Sequence, residues 1–282
     1  MNPMAGPGIR VLYVDDDAAL ARLVQKTLGR RGFSVVLATT GDRVSVSTDG
    51  LTQKFEARNV RDVTVTAAPD FRTTSAKVGD TTIRYYYRSA ANAQATLDAA
   101  VSAFRKLQDR LGDYPYPTFK VVQSAGGYGM ESPQLIWIPY GVGSANLRYL
   151  VAHETAHQWF YGLVGNDQAR QPFADEAAAD FVARYVTSTK RSARCSTGRL
   201  DLTIYSYSST CYYERIYIQG GNLIDAARKQ MGSTAFWRAL RGYVADHRYG
   251  LVSNRTLLQA LDDGTPLDLG ERLFGPRFPK IY

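Results

Sequence analysis

The chain has 282 residues, of which 45% are hydrophobic and 21% are charged. This composition excludes a disordered protein and supplies enough apolar material for one large domain or two smaller ones. The formal net charge is +8, but the lysines and arginines are scattered and no recognised nucleic-acid motif accompanies them. We therefore expect a basic surface without a nucleic-acid partner. No run of 18 apolar residues is present, so the sequence predicts no membrane span.

The first domain is predicted at residues 1–39 and has a strand–helix–strand pattern. Residues 9–14 predict a buried strand that ends at three aspartates, residues 17–29 have helical spacing, and residues 33–38 predict a second strand. This order resembles the opening of a response-regulator receiver domain, in which an acidic pair binds magnesium. No later strand ends in a phospho-accepting aspartate, so we predict a βαβ fragment without signalling activity.

Two further domains are predicted after this fragment. Residues 40–90 alternate apolar and polar side chains between turn residues, which indicates a small antiparallel β module. Residues 91–282 contain a helix, two short strands at 118–123 and 134–138, and then mainly helix. A β-rich front followed by a helical back predicts an α+β fold. The apolar stripe expected on the helix at 91–111 consists of Leu97, Val101, Phe104, Leu107 and Leu111.

A metal-binding pattern lies inside a predicted buried helix at residues 147–164. It reads His153-Glu154-Thr155-Ala156-His157 and contains two of the three histidines of the chain. Residues four apart on a helix lie on one face, so both imidazoles can reach one metal ion. Glu154 projects beside that ion, where its carboxylate can accept a proton from water.

A third ligand is predicted 18 residues further along the chain, on a second helix. Catalytic zinc is bound by three protein ligands, and Glu176 follows His157 at this distance in an alanine-rich segment. One turn later comes Asp180, which we expect to accept the remaining N–H of a ligand histidine and so fix its tautomer. The sequence thus predicts one zinc ion per chain, bound by His153, His157 and Glu176.

The spacing and its flanks resemble the gluzincin metallopeptidases, in particular the membrane alanyl aminopeptidase family. The zinc-helix segment His153-Glu-Thr-Ala-His-Gln-Trp-Phe160 is similar to the one in that family. This resemblance covers about residues 40–282. It implies that residues 91–282 form a thermolysin-like zinc peptidase domain and that residues 40–90 are the end of an N-terminal β-sandwich.

Two further site elements follow from the same resemblance. Gly129-Met130-Glu131-Ser132 is similar to the Gly-x-Met-Glu-Asn strand of the family, with serine in place of asparagine. This implies that Glu131, together with Met130 and Gly129, binds the free α-amine of a substrate. Tyr217-Ile-Gln219-Gly is similar to the Tyr-x-Lys-Gly element, which implies that Tyr217 stabilises the oxyanion; Tyr212 and Tyr213 are neighbouring alternatives.

The sequence therefore predicts a zinc metallopeptidase, an aminopeptidase that acts on peptide substrates. Two alternatives stay open at this point. One is a gluzincin of other specificity, an endopeptidase or an epoxide-opening hydrolase, because a shortened β module would leave an open cleft. The other is a receiver-type signalling or interaction module that carries a degenerate zinc fold.

The cysteines bear on the cellular compartment. Cys195 and Cys211 either form one disulfide, which would imply an oxidising compartment, or are two separate thiols, and their spacing does not decide between these. The N-terminus lacks a secretory signal pattern, so the sequence as written predicts a cytoplasmic protein. A mispredicted start combined with a Cys195–Cys211 bond would instead indicate an extracellular one. The oligomeric state is left open.

Overall fold

The computed structural model describes residues 36–46, 48 and 53–282. Its strands are β1 (Val36–Thr39), β2 (Asp42–Val46), β3 (Gln53–Glu56), β4 (Val65–Ala68), β5 (Arg72–Val78), β6 (Thr81–Tyr87), β7 (Thr118–Ser124), β8 (Met130–Ser132), β9 (Leu135–Pro139), β10 (Gly165–Asn166) and β11 (Leu251–Val252). Its α-helices are α1 (Ala93–Leu111), α2 (Ser144–Ala156), α3 (Ala178–Thr187), α4 (Gly220–Met231), α5 (Ser233–Asp246) and α6 (Asn254–Asp263). Three π-helical turns accompany them, at Phe173–Ala177, Glu214–Gln219 and Gly270–Phe274, and Gln158–Leu163 forms a kinked turn with non-helical backbone at Phe160 and Tyr161.

The predicted receiver-like fragment falls almost entirely outside the described residues. The strand predicted at 9–14 and the helix at 17–29 lie there, so both stay predictions. Residues 36–39 form β1, and this strand pairs antiparallel with β4 of the β-rich module.

A five-stranded mixed sheet in the order β5-β6-β7-β9-β8 supports the helical part of the chain. β6, β7 and β9 are parallel to one another, while β5 and β8 pair antiparallel with β6 and β9. α1 connects β6 to β7, because parallel neighbours need a crossover connection. The short strand β8, which contains Glu131, therefore lies at an edge of the sheet.

Alternate residues of each strand are buried on opposite faces of this sheet. Ile83 on β6 and its partner Phe119 on β7 are fully buried in the large core beneath α1 and α2. Tyr86 and Val122 point to the other face, into a smaller core that also contains Ala38 of β1. The small strands β1 to β4 thus cover one face, and the helices cover the other.

The predicted domain division at residue 90 falls within this sheet. β5 and β6 precede residue 90, yet β6 pairs with Thr118–Val122 of β7 over five residues. The structure therefore places the last two strands of the predicted β module in the sheet of the following domain. An alternating pattern indicates a strand but does not identify its partner, and this is why the sequence did not reveal the pairing.

Helix α2 lies at the centre of the large core, packed against α1, α3 and the sheet. All six residues from 151 to 156 are buried, which is typical of a helix surrounded by protein on every side. The apolar stripe of α1 forms as predicted except at one point. Ala100 is fully buried, whereas Val101 is only half-buried. The small alanine faces the packed interface, and the larger valine lies at its margin.

A disulfide bond closes a loop between α3 and α4. Cys195 and Cys211 form a disulfide, so the first of the two alternatives for these cysteines is the one observed. In the part of the chain that the structure describes, no helix combines the length and the apolar character needed to cross a bilayer.

A buried lysine attaches the β-rich module to the main sheet. Lys120 of β7 is 5% exposed. Its ammonium group donates to the carbonyl of Gly41 at 2.5 Å and to the hydroxyl of Thr118 at 2.7 Å, and it lies 3.7 Å from the carboxylate of Asp42. Burial lowers the pKa of Lys120 from 10.5 to about 8, although Asp42 opposes this shift. The folded protein therefore gives up this proton more readily than the unfolded chain does.

This pKa predicts how stability depends on pH. Between pH 8 and 10.5 the unfolded chain retains a proton on Lys120 that the folded chain loses, so folding becomes more favourable as the pH rises. In urea titrations at pH 7 and pH 10, we expect the unfolding free energy of the wild type to gain roughly 2–3 kcal/mol relative to Lys120→Met. The other titrating groups are shared by both proteins and cancel. An identical pH dependence of the two proteins would contradict this assignment.

Candidate metal centre

His153, His157 and Glu176 bring three ligand atoms close together. His153 lies in the last turn of α2, His157 directly follows that helix, and Glu176 belongs to the π-helical turn before α3. The two Nε2 atoms are 3.2 Å apart, and Oε2 of Glu176 lies 3.4 Å from that of His153 and 3.3 Å from that of His157. These are the three ligands predicted from the sequence, and they form a nearly equilateral triangle.

The triangle has the dimensions of a zinc site. Ligand atoms bound tetrahedrally at the usual zinc distances are about 3.4 Å apart. The histidines are buried, and Oε2 of Glu176 has no hydrogen-bond partner among the described residues. Two imidazoles and one carboxylate are also a common ligand set of catalytic zinc, which leaves one position for water or substrate. The residues present therefore fit a single zinc ion.

The hydrogen bond at Nδ1 of His157, the ring nitrogen that points away from Glu176, supports the assignment of a zinc site. Nδ1 of His157 lies 2.6 Å from Oδ1 of Asp175. An ionised carboxylate only accepts hydrogen bonds, so Nδ1 carries the proton and Nε2 of a neutral ring carries a lone pair. That lone pair faces Oε2 of Glu176, which is a second acceptor. Although burial opposes it, Asp175 and Glu176 raise the pKa of His157 well above its usual value, so a proton at Nε2 separates the two acceptors, and a metal cation would take the place of that proton.

The charge on Glu176 depends on the two rings beside it. Burial alone would raise the pKa of Glu176, but the neighbouring His157 and His153 lower it below its usual value. The carboxylate therefore stays ionised although it is largely withdrawn from solvent. An ionised oxygen beside two imidazole nitrogens, in a largely buried site, is suited to bind a hard or borderline cation.

The contact predicted for Asp180 is made by Asp175 instead. Asp180 accepts a hydrogen bond from the Tyr149 hydroxyl at 2.6 Å and pairs with Arg184 at 2.6 Å. In the described part of the chain it forms no hydrogen bond with either histidine. The prediction assumed a regular α-helix through Glu176, but residues 173–177 form a π-helical turn with wider spacing. This turn directs Asp175 toward His157.

Glu154 lies beside the triangle, where its carboxylate is close to Glu131. One ligand atom each of Glu131, Glu154 and His157 lies within 4.8 Å of the others. Loss of solvation raises the pKa of Glu154 to about 7, and the two imidazoles oppose this rise. The backbone at Gly129 approaches Glu154 so closely that a Cβ there would lie 2.2 Å from Oε1. A side chain at this position, which is one of the three predicted for substrate binding, would displace the Glu154 carboxylate.

A glutamine that the sequence did not single out connects Glu131 with Asp175. The amide Nε2 of Gln168 donates to Oε1 of Glu131 at 2.9 Å and to Oδ2 of Asp175 at 2.6 Å. Each amide proton is therefore donated to one carboxylate. These two hydrogen bonds hold the two acidic side chains near each other. Gln168 lies in a loop without periodicity, so no pattern in the sequence indicated it. Met130, the third predicted substrate contact, is half exposed on β8.

A second unpredicted glutamine fixes strand β8 relative to the zinc helix. Gln158 directly follows His157 and is 1% exposed. Its Nε2 donates to the carbonyl of Ser132 at 2.9 Å, and its Oε1 accepts from the backbone N–H of Gln134 at 2.7 Å. The end of β8, next to Glu131, is thereby held at a defined distance from the metal ligands.

Of the three tyrosines considered from the sequence, Tyr217 is the one whose ring stacks on a predicted metal ligand. Its ring stacks on His153 with the centroids 5.5 Å apart, whereas Tyr212 and Tyr213 pack on Tyr217 itself. Burial, followed by the charge of Glu176, raises the pKa of Tyr217 well above its usual value. Its hydroxyl therefore remains a hydrogen-bond donor at neutral and alkaline pH.

Gln219, which stands where the family pattern has lysine, turns toward the disulfide loop. It donates to the carbonyl of Cys195 at 2.8 Å and accepts from Arg277 at 2.8 Å. The side chain thus connects the disulfide loop with the C-terminal segment. Its contacts are structural, in contrast to those of Tyr217.

Comparison with known proteins supports the fold. No protein-family model matches the chain. An M1 zinc metallopeptidase from Deinococcus radiodurans has a similar structure, with a TM-score of 0.70 and 20% sequence identity. A Glu-to-Ala variant of a two-domain M1 zinc metallopeptidase, bound to L-tryptophan, gives the same two values. A further such variant from Deinococcus radiodurans, bound to a Tyr-Ser-Ala substrate, has a TM-score of 0.68 and 18% identity.

These matches are likenesses of fold. Each covers 87% of this chain and 61% of the other chain, so this chain spans about three fifths of the length of the similar proteins. Small sheets followed by a mainly helical region match the architecture of M1 zinc metallopeptidases, and the predicted α+β fold class is confirmed.

The role of Asp175 can be tested through metal affinity. Because Asp175 orients His157 and increases its basicity, Asp175→Ala should weaken zinc binding about 10- to 100-fold. Competition with a chromophoric chelator would measure the dissociation constant. Asp167→Ala is the matched control, since Asp167 is an exposed acid in the loop before the turn that contains Asp175. Equal zinc affinities of the two variants would contradict the assignment.

Proposed function

We propose that this chain is a zinc-dependent aminopeptidase that removes residues from the free N-terminus of peptides. The observation that carries the proposal is the triangle of His153, His157 and Glu176, with the carboxylates of Glu154 and Glu131 on one side of it. A ligand triangle with a base and an amine-binding acid within a few ångströms is suited to hydrolysis at the first peptide bond.

Hydrolysis needs an activated water and a base. Zinc held by the three ligands would supply a Lewis acid that lowers the pKa of water toward 7 and polarises a carbonyl. Glu154 takes the proton from the attacking water and delivers it to the departing amine nitrogen. One water is consumed, and the C–N bond is replaced by a carboxylate and an amine. The burial of Glu154 keeps competing solvent away from this transfer.

Glu131 is the residue proposed to select a free N-terminus. Its carboxylate would pair with the substrate ammonium group, and Gln168 restricts its rotation through the hydrogen bond at 2.9 Å. Strand β8 lies at the sheet edge, so its outer backbone groups are available to an extended peptide. A chain bound in this way places its first carbonyl, and no later one, beside Glu154.

Tyr217 is proposed to donate a hydrogen bond to the oxygen on which negative charge develops. Its ring is fixed against His153, and its hydroxyl keeps its proton. A preoriented donor of this kind is worth about 3–4 kcal/mol of transition-state stabilisation. The function of Tyr217 therefore depends on the same packing that orders the metal ligands.

The proposed activity predicts a difference between two peptides. Zinc-loaded protein is mixed with an unblocked peptide and with its N-acetylated form, and the products are followed by mass spectrometry over time. We expect stepwise loss of residues from the unblocked peptide alone, because acetylation removes the ammonium group that Glu131 binds. Glu154→Gln should lower the rate by at least about 100-fold while zinc remains bound.

Two results would contradict this proposal in different ways. Internal cleavage of both peptides at equal rates would support an endopeptidase and reject the assignment of Glu131. Absence of any cleavage by folded, zinc-loaded protein would reject peptidase activity. Glu131→Ala separates the roles further, since it should raise KM for the unblocked peptide without altering the zinc content.

A further inference from the structure

Asp62 lies between β3 and β4 and connects the β-rich module with two parts of the candidate site. Its Oδ1 accepts a hydrogen bond from the hydroxyl of Ser132 at 3.0 Å, and its Oδ2 accepts one from the hydroxyl of Tyr161 at 2.5 Å. Ser132 is the last residue of β8 and directly follows Glu131, while Tyr161 lies in the kinked turn after His157. One carboxylate of the β-rich module thus bridges the strand that contains Glu131 and the segment that follows the metal ligands.

The end of β8 is held from two sides at Ser132. This residue is 2% exposed. Its backbone carbonyl accepts a hydrogen bond from Gln158, next to the zinc helix, and its hydroxyl donates to Asp62. Strand β8 is an edge strand that pairs with β9 over three residues, so these side-chain contacts contribute much to fixing its end. Without Asp62 the buried hydroxyl would lose its acceptor, which is unfavourable, and we expect the strand end to shift.

Tyr161 provides the second contact of Asp62 beside the site. Its ring meets the ring of His157 edge to face, with the centroids 6.5 Å apart. The guanidinium carbon of Arg61 lies 4.1 Å from the Tyr161 centroid, and Nε of Arg61 is 3.8 Å from Oδ2 of Asp62. Burial, followed by Asp62, raises the pKa of Tyr161 above its usual value, and the charge of Glu131 adds to this rise. The hydroxyl therefore remains a donor to Asp62, and the ring is fixed both at its hydroxyl and at its face.

We propose that Asp62 is a positioning residue for amine recognition, which fixes the backbone of β8 so that the Glu131 carboxylate meets the substrate ammonium group. This inference rests on the function proposed above and extends substrate recognition to the β-rich module. A binding carboxylate must be held to within about 0.5 Å of its productive position. Gln168 restricts the side chain of Glu131, and Asp62 restricts the strand that carries it. Because Asp175 orients the zinc ligand His157 separately, the loss of Asp62 should leave zinc binding intact.

The first test measures the preference for a free amine. Zinc-loaded protein that carries Glu154→Gln, in which cleavage is slow, is titrated calorimetrically with trialanine and with N-acetyl-trialanine. The ratio of the two dissociation constants reports how strongly the ammonium group is recognised. We expect Asp62→Ala to lower this ratio at least about fivefold, because the carboxylate of Glu131 no longer lies at the productive distance. The zinc content should stay at that of the parent protein.

Three further variants separate positioning from a general loss of structure. Asp62→Asn should retain most of the ratio, since its amide can accept from the hydroxyl of Tyr161 and donate to the oxygen of Ser132. The double variant Ser132→Ala/Tyr161→Phe should reproduce the effect of Asp62→Ala, because it removes the two donors. Asp80→Ala is the matched control, since it removes an exposed aspartate in the turn between β5 and β6, and it should preserve the full ratio.

Amide hydrogen exchange gives a second readout that does not depend on any peptide. In zinc-loaded protein, Asp62→Ala should speed exchange at residues 129–132 of the β8 segment and leave exchange in helix α2 unchanged. A ratio of dissociation constants that survives Asp62→Ala, or unchanged exchange at β8, would overturn the role of Asp62. Equal binding of both tripeptides by the parent protein, combined with faster exchange at β8 in the variant, would instead reject the amine-binding role of Glu131. The two failures are therefore distinguishable.

Discussion

The carboxylate of Glu176 is largely withdrawn from solvent, and its Oε2 lies 3.3 Å from the Nε2 of His157 and 3.4 Å from that of His153. An ionised group in this position costs several kcal/mol of folding free energy unless positive charge offsets it. Because Asp175 holds one proton of His157 on Nδ1, Nε2 faces Glu176 either with a second proton, which the raised pKa of His157 favours, or with a lone pair that binds a metal ion. A divalent cation would replace that proton and offset the charge of Glu176, so folding and metal binding are coupled at this site.

The surrounding structure holds this arrangement in place. The packing of α2 against α3 brings the histidines to Glu176, and the π-helical turn before α3 directs Asp175 to His157. Gln168 extends the same hydrogen-bonded chain from Asp175 to Glu131 on the sheet edge. The groups proposed to bind the substrate amine and the metal therefore share one network. A substitution at Gln168 would therefore affect both Glu131 and Asp175.

Much of the site could be predicted from the sequence because it depends on local spacing. His153 and His157 need only the helical period, and Glu176 follows at a distance typical of one zinc-binding pattern. Asp175 was missed because the prediction assumed a regular α-helix, in which Asp180 is the better candidate. Gln168 and Gln158 act through contacts between segments distant in the chain, and no period indicates such contacts. The sequence did not identify β7 as a partner of β6 for the same reason, since alternation indicates a strand but not its neighbour.

The central claim is that these three side chains bind one zinc ion. X-ray absorption at the zinc edge, recorded on the zinc-loaded chain, tests it most directly. We expect one ion per chain with two imidazole nitrogens and two oxygens at about 2.0–2.1 Å, and one imidazole fewer in His153→Ala. Sulfur ligands, or an imidazole signal that does not change in this variant, would show that zinc binds elsewhere and would contradict the account.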